Sequence, residues 1–119
     1  MPNQQAQLDR VFRALGDATR RAVLSRLSAG PAAVSELARP FDMALPSFTQ
    51  HLDVLEQCGL VRSRKAGRVR TYRLAPEPLK AAERWIGRQR AIWERSGLHR
   101  RHRDGAAGEG NEVQRARDA

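Results

Sequence analysis

Apolar residues recur at helical spacing from the start of the chain. Leu8, Val11, Phe12 and Leu15 stand at i, i+3, i+4 and i+7, which is one face of a first helix. Gly16 stops it, and Asp17 can cap a second helix through its carboxylate. That second helix carries Ala22, Val23, Leu24 and Leu27 and ends near Ser28, before Gly30-Pro31. A short third helix covers about Val34 to Arg39, with Val34, Leu37 and Ala38 inward, and Pro40 ends it. A fourth helix follows, with Pro46 in its first turn, where the missing N–H costs nothing. Leu45, Phe48, Leu52 and Leu55 form its buried stripe, and Gly59 is its left-handed stop. At about 100° per residue, the opposite face presents Ser47, Gln50, Asp53, Val54 and Gln57, flanked by Thr49 and His51.

The period then changes. Leu60 to Lys65 and Val69 to Leu74 are two short β-rich runs about Ala66-Gly67-Arg68, which predicts a hairpin. Arg62, Arg64, Lys65, Arg68, Arg70 and Arg73 make six of its twelve residues from Arg62 to Arg73 basic, and none is acidic. Like charges on neighbouring strands repel, so packing alone gives no reason for them. A polyanion that neutralises them does. Finally Pro76 and Pro78 open a long helix to about Ser96, with Leu79, Ala82, Trp85, Ile86, Ile92 and Trp93 along one stripe. The preceding elements close a domain without it. Leu8, Val11, Phe12, Leu79, Trp85, Ile86 and Trp93 are therefore expected in a dimer interface between the first and last helices of two chains.

Composition sharpens this picture. The chain has 119 residues, with 22 Lys+Arg against 13 Asp+Glu and a net charge of +9. After Leu98 there are five arginines and four acids, with Val113 the one sizeable apolar side chain. Residues 99–119 are therefore expected to be a disordered polar tail, and residues 1–98 one domain that carries almost all the excess charge. No apolar run approaches the roughly 20 residues of a membrane span, and Met1–Arg10 lacks the apolar stretch of a secretory signal. A single cysteine, Cys58, excludes an internal disulfide and a multi-cysteine metal cage. These features predict a soluble, cytosolic protein without cofactor or metal. Glu36, Asp42 and Asp53 form no recognisable acid/base pair, and Cys58 has no nucleophile's partners in view, so nothing calls for an enzyme.

The third and fourth helices, joined through Phe41-Asp42-Met43-Ala44, make a helix-turn-helix, and the basic hairpin would be its wing. The fold class is thus mainly α with a small β-hairpin. Duplex DNA suits it, because hydroxyls and amides on a helix read base edges in the major groove while arginines bind phosphates. Ser47, Thr49, Gln50 and His51 are the candidate base readers, and Arg62, Arg64, Lys65, Arg68, Arg70 and Arg73 the candidate phosphate ligands. Bland alternatives stand beside these. A polar helix face can be merely solvated, His51 can pack at the domain surface or donate to phosphate, and Arg62 or Arg73 can face the domain. One of Arg20 and Arg21, at a helix start where positive charge is disfavoured, is expected to pair with an acid or to reach phosphate. The same basic face could also serve an interaction module that binds RNA or protein.

Several strings, in order, closely resemble the ArsR-type winged helix-turn-helix repressors: Ala14 to Leu24, Val34 to Ala38, Leu45 to Glu56, and Gly59-Leu60-Val61. The resemblance spans roughly residues 8–96. It implies a homodimer joined through its first and last helices and bound to a pseudo-palindromic operator that it represses. It also implies DNA contact at the positions of Ser47, Thr49, Gln50 and His51. Many members sense metals through a cysteine pair in the third helix or Asp and His ligands on the last. Here Glu36-Leu37-Ala38-Arg39-Pro40-Phe41-Asp42 contains no cysteine, and no histidine follows His51 before His99. Pro76-Glu77-Pro78-Leu79 is similar to the start of the last helix in a non-metal subgroup. His99 and His102 suit adventitious nickel at most. Any small-molecule effector is unspecified.

Overall fold

The computed structural model describes residues 4–97. Its elements are α1 (Gln4–Leu15), α2 (Ala18–Leu27), β1 (Ala32–Ala33), α3 (Val34–Ala38), α4 (Leu45–Gln57), β2 (Val61–Ala66), β3 (Val69–Leu74) and α5 (Glu77–Arg95). The expected helices and hairpin are all present, with one strand more. β1 pairs antiparallel with β3, Ala32 opposite Tyr72 and Ala33 opposite Thr71, which makes a three-stranded sheet in the order β1-β3-β2. Two alanines carry no alternation for a sequence to signal. The fold is mostly helical with this small sheet. The expected tail lies outside the described residues.

Local chemistry fixes the element ends. Asp17 has extended φ and ψ, and its Oδ2 accepts the backbone N–H of Arg20 at 3.0 Å, which satisfies one orphan donor of α2. That bond, the leading cause, holds the Asp17 carboxyl below its ordinary range, and the charges of His51 and Arg20 add to it against some desolvation. Ala33 has no capping side chain, so Glu36 reaches back and accepts its N–H at 3.1 Å. Gly59 sits at φ +79°, the left-handed end of α4, where a side chain would be strained.

The chain divides between Glu83 and Arg84 into two units. In the first, the core joins Val11 and Ala14 of α1 to Val23, Leu24 and Leu27 of α2, Leu37 of α3, and Phe48, Leu52 and Leu55 of α4. Leu60, Val61, Tyr72 and Ala82 complete it. No polar or charged residue is among those buried in the described part. Phe48 is wholly buried, with the Phe41 ring tilted 31° against it at 5.3 Å. The second unit contributes residues 84–97, the rest of α5, on which Trp85, Ile86, Ile92 and Trp93 are exposed. Among the described residues no helix is long and apolar enough to cross a membrane.

Four assignments change. Val11, expected at a dimer interface, is 0% exposed in the single chain and has no surface to offer a partner. Leu8, Phe12 and Leu79 are partly covered against the same core. Leu45, expected in the buried stripe of α4, is 54% exposed. It stands about 75° from the mean direction of Phe48, Leu52, Leu55 and Cys58, and first-turn side chains tilt past the helix N-terminus. Ala22 is exposed, one residue off the stripe of Val23 and Leu27, while Val54, expected outward, packs partly against the core.

Candidate nucleic-acid interface

The core that holds Phe48, Leu52 and Leu55 down turns the other side of α4 outward. Ser47, Gln50, Asp53 and Gln57 are exposed there, and Thr49 is half-buried. Thr49 Oγ1 donates to Pro46 O at 3.0 Å, so its hydroxyl hydrogen is committed within the helix while its lone pairs can still accept. The exposed patch is polar but not basic, and Asp53 is its only charge. Such a surface offers donors and acceptors for base edges but little attraction for a phosphate backbone.

His51 lies elsewhere. It is half-buried, and its Nδ1 lies 3.1 Å from Nη1 of Arg20 and 3.6 Å from Oδ2 of Asp17. The residue belongs to the corner between α1 and α2 rather than to the face that carries Gln50. The expectation for Arg20 and Arg21 also resolves locally. Arg20 donates from Nε to Ala14 O at 2.8 Å and from Nη2 to Arg13 O at 3.2 Å, and Arg21 donates from Nη1 to Leu15 O at 2.7 Å. Both arginines thus lie against the carbonyl end of α1, where positive charge is favoured.

The ribbon supplies the missing positive charge. β2 and β3 pair in full register from Val61 opposite Leu74 to Ala66 opposite Val69, which leaves a two-residue turn of Gly67 and Arg68. Gly67 takes φ +63°, which accounts for a glycine there. Residues directly opposite share a face, so the six basic side chains divide. Lys65 and Arg70 stand opposite each other on the face of Ser63 and buried Tyr72, whereas Arg62, Arg64 and Arg73 occupy the other face. All six are exposed, Arg62 and Arg73 included, so neither turns into the domain. At the tip, Lys65, Arg68 and Arg70 surround the turn.

One chain of bonds ties ribbon to helix. Arg70 Nη1 donates to Ser63 Oγ at 2.8 Å, and Ser63 donates to Oε2 of Glu56 on α4 at 2.7 Å. The pairing orients Arg70 relative to the polar helix face. Sequence reasoning missed Glu56 and Ser63, because their seven-residue separation crosses the α4–β2 junction and no periodicity relates the two sides. Burial raises the pKa of Tyr72 above the usual phenol range, with the Glu56 charge in support. Burial likewise raises that of Cys58, whose Sγ faces Leu55 O at 3.4 Å, and a thiol so placed is a poor nucleophile.

Comparison with known proteins places this arrangement. A helix-turn-helix domain family matches residues 15–64. The HTH-type transcriptional regulator Rv2034 of Mycobacterium tuberculosis is 44% identical over 88 residues, which are 74% of this chain and 79% of that protein. The crystal structure of the ArsR family transcriptional regulator RHA00566 is 55% identical with a TM-score of 0.74, over 79% of this chain and 97% of that one. The homodimeric winged helix-turn-helix DNA-binding domain Mb0332 of Mycobacterium bovis, solved in solution, is 27% identical with a TM-score of 0.56, over 83% of this chain and 93% of that one.

Proposed function

Because this chain belongs to the ArsR family of winged helix-turn-helix transcriptional regulators, we propose that it is a homodimeric repressor that occupies a pseudo-palindromic operator. Two copies of α4 enter successive major grooves about 34 Å apart. Ser47, Thr49 and Gln50 meet base edges there, and the ribbon tips hold phosphates beside each half-site. His51, with Nδ1 turned to Arg20, acts from the flank. The observation that carries this reading is the neutral polar face of α4, tied through Glu56 and Ser63 to Arg70 at an arginine-rich tip. Repression follows from occupancy, since a dimer astride a promoter excludes polymerase.

The dimer is proposed from the exposed apolar stripe of Trp85, Ile86, Ile92 and Trp93 on α5. The homodimeric neighbour supports it. Work on chromosomal DNA places the protein in the cytoplasm.

The test is a footprint upstream of the chain's own gene, followed by binding to that duplex and to a scrambled one. Gln50→Ala is expected to cost about 1–3 kcal/mol on the operator and nothing on the scrambled duplex. An unchanged ratio removes Gln50 as a reader. Preference for RNA of equal length over the duplex overturns the proposal.

A further inference from the structure

Besides its core contacts, the polar-faced helix α4 meets the side chain of Arg20. The fork of Arg20 is already fixed by two carbonyls at the C-terminal end of α1, Ala14 O at 2.8 Å and Arg13 O at 3.2 Å. Both lie among the last carbonyls of the helix, and Arg13 O also accepts the N–H of Gly16 at 3.1 Å. The third arm meets His51 Nδ1 at 3.1 Å. Guanidinium has donors only, so this bond requires Nδ1 to be the bare nitrogen and places the proton of a neutral imidazole on Nε2. His51 directly follows Gln50 in α4.

We propose that Arg20 is a positioning residue for sequence reading, a strut from the end of α1 through His51 that sets the placement of Gln50. The inference rests on the repressor reading above. The strut depends on the charge state of His51. A proton on Nδ1 turns an acceptor into a donor that faces the arginine, and the Asp17 carboxylate, 3.6 Å away, becomes the better partner. Arg20 and Asp17 are the charged groups that face His51 from α2 and its cap, and α1 presents the two carbonyls. The Arg20 charge also reaches the buried Cys58 thiol of α4, as does that of Arg10 on α1. Protonation of His51 therefore breaks the strut.

The experiment uses the full chain, its footprinted operator and a scrambled duplex. Nitrogen-correlated NMR reads the His51 tautomer, assigned by the signal lost in His51→Gln. The expected result is the Nε2–H form in the wild type. Arg20→Lys keeps the charge but lacks the fork, and is expected to lower the specific-to-nonspecific affinity ratio about tenfold with scrambled-duplex affinity unchanged. In the wild type that ratio falls on acidification, whereas in Arg20→Lys it stays flat. An Nδ1–H tautomer, an unchanged ratio in Arg20→Lys, or affinity for both duplexes rising together in acid would overturn the strut. The last would make His51 a phosphate donor. If Arg20→Lys fails to fold, the wild-type tautomer and pH profile decide. A wild type with no operator preference at any pH defeats the repressor reading itself, and the strut with it.

Discussion

The ribbon divides its charges between tip and base, and that division can be measured. Lys65, Arg68 and Arg70 flank the Gly67 turn, whereas Arg62 and Arg73 face each other five residues back along their strands. Arg62 stands three residues from Lys65 and Arg73 three from Arg70, about 10 Å at about 3.3 Å per residue, which is one Debye length at 0.1 M salt. Phosphates gripped at the tip are therefore partly screened from the Arg62–Arg73 pair. Each neutralised phosphate contributes about 0.9 to the slope of log affinity against log salt, so three contacts in each of two protomers contribute about 5. Changing Lys65, Arg68 and Arg70 together to Ala should flatten the slope by that amount. Between about 50 and about 200 mM salt, the wild type should then lose about a thousandfold more affinity than the variant. The double variant Arg62→Ala, Arg73→Ala should change the slope by less than about one unit, and its free fold should be no weaker, since it removes a directly opposed like-charge pair. Fluorescence anisotropy on a labelled duplex over a salt series reads both. Equal flattening by the two variants, or none by the tip variant, refutes the assignment of phosphate binding to the tip.

Other outcomes follow from the fold. Phe48→Ala should cost about 3–5 kcal/mol, measured by urea denaturation, because it empties a wholly buried site against Phe41. Asp17→Ala removes the α2 cap and should cost about 1 kcal/mol near neutral pH. The folded-state pKa of Asp17 is depressed, so its contribution is present above the ordinary carboxylate range and is lost as pH falls through the depressed value. Parallel melts of wild type and variant that converge in acid check the sign. Ile86→Glu with Ile92→Glu places charge on the exposed stripe of α5 and should shift sedimentation from dimer to monomer, leaving the helical signal intact.

The sequence alone marked the helices, the Asp17 cap, the Gly59 stop and the basic hairpin, because each depends on neighbours within a turn or a strand pair. Apolar spacing says which side of a helix is greasy, and glycine at a positive φ says where it ends. Local pattern could not say how far the core extends. Val11 and Leu45 both read as members of an apolar stripe, yet one is sealed and the other stands open, since only packing decides where cover runs out. It could not divide the six basic residues either, for strand register fixes their faces and β1 enters from about forty residues away. Nor could it see that Arg20 meets His51, 31 positions along, or that Glu56 holds Ser63 and through it Arg70. Periodicity describes a segment against water. The partner of a polar group is chosen when segments meet, and that choice belongs to the tertiary structure.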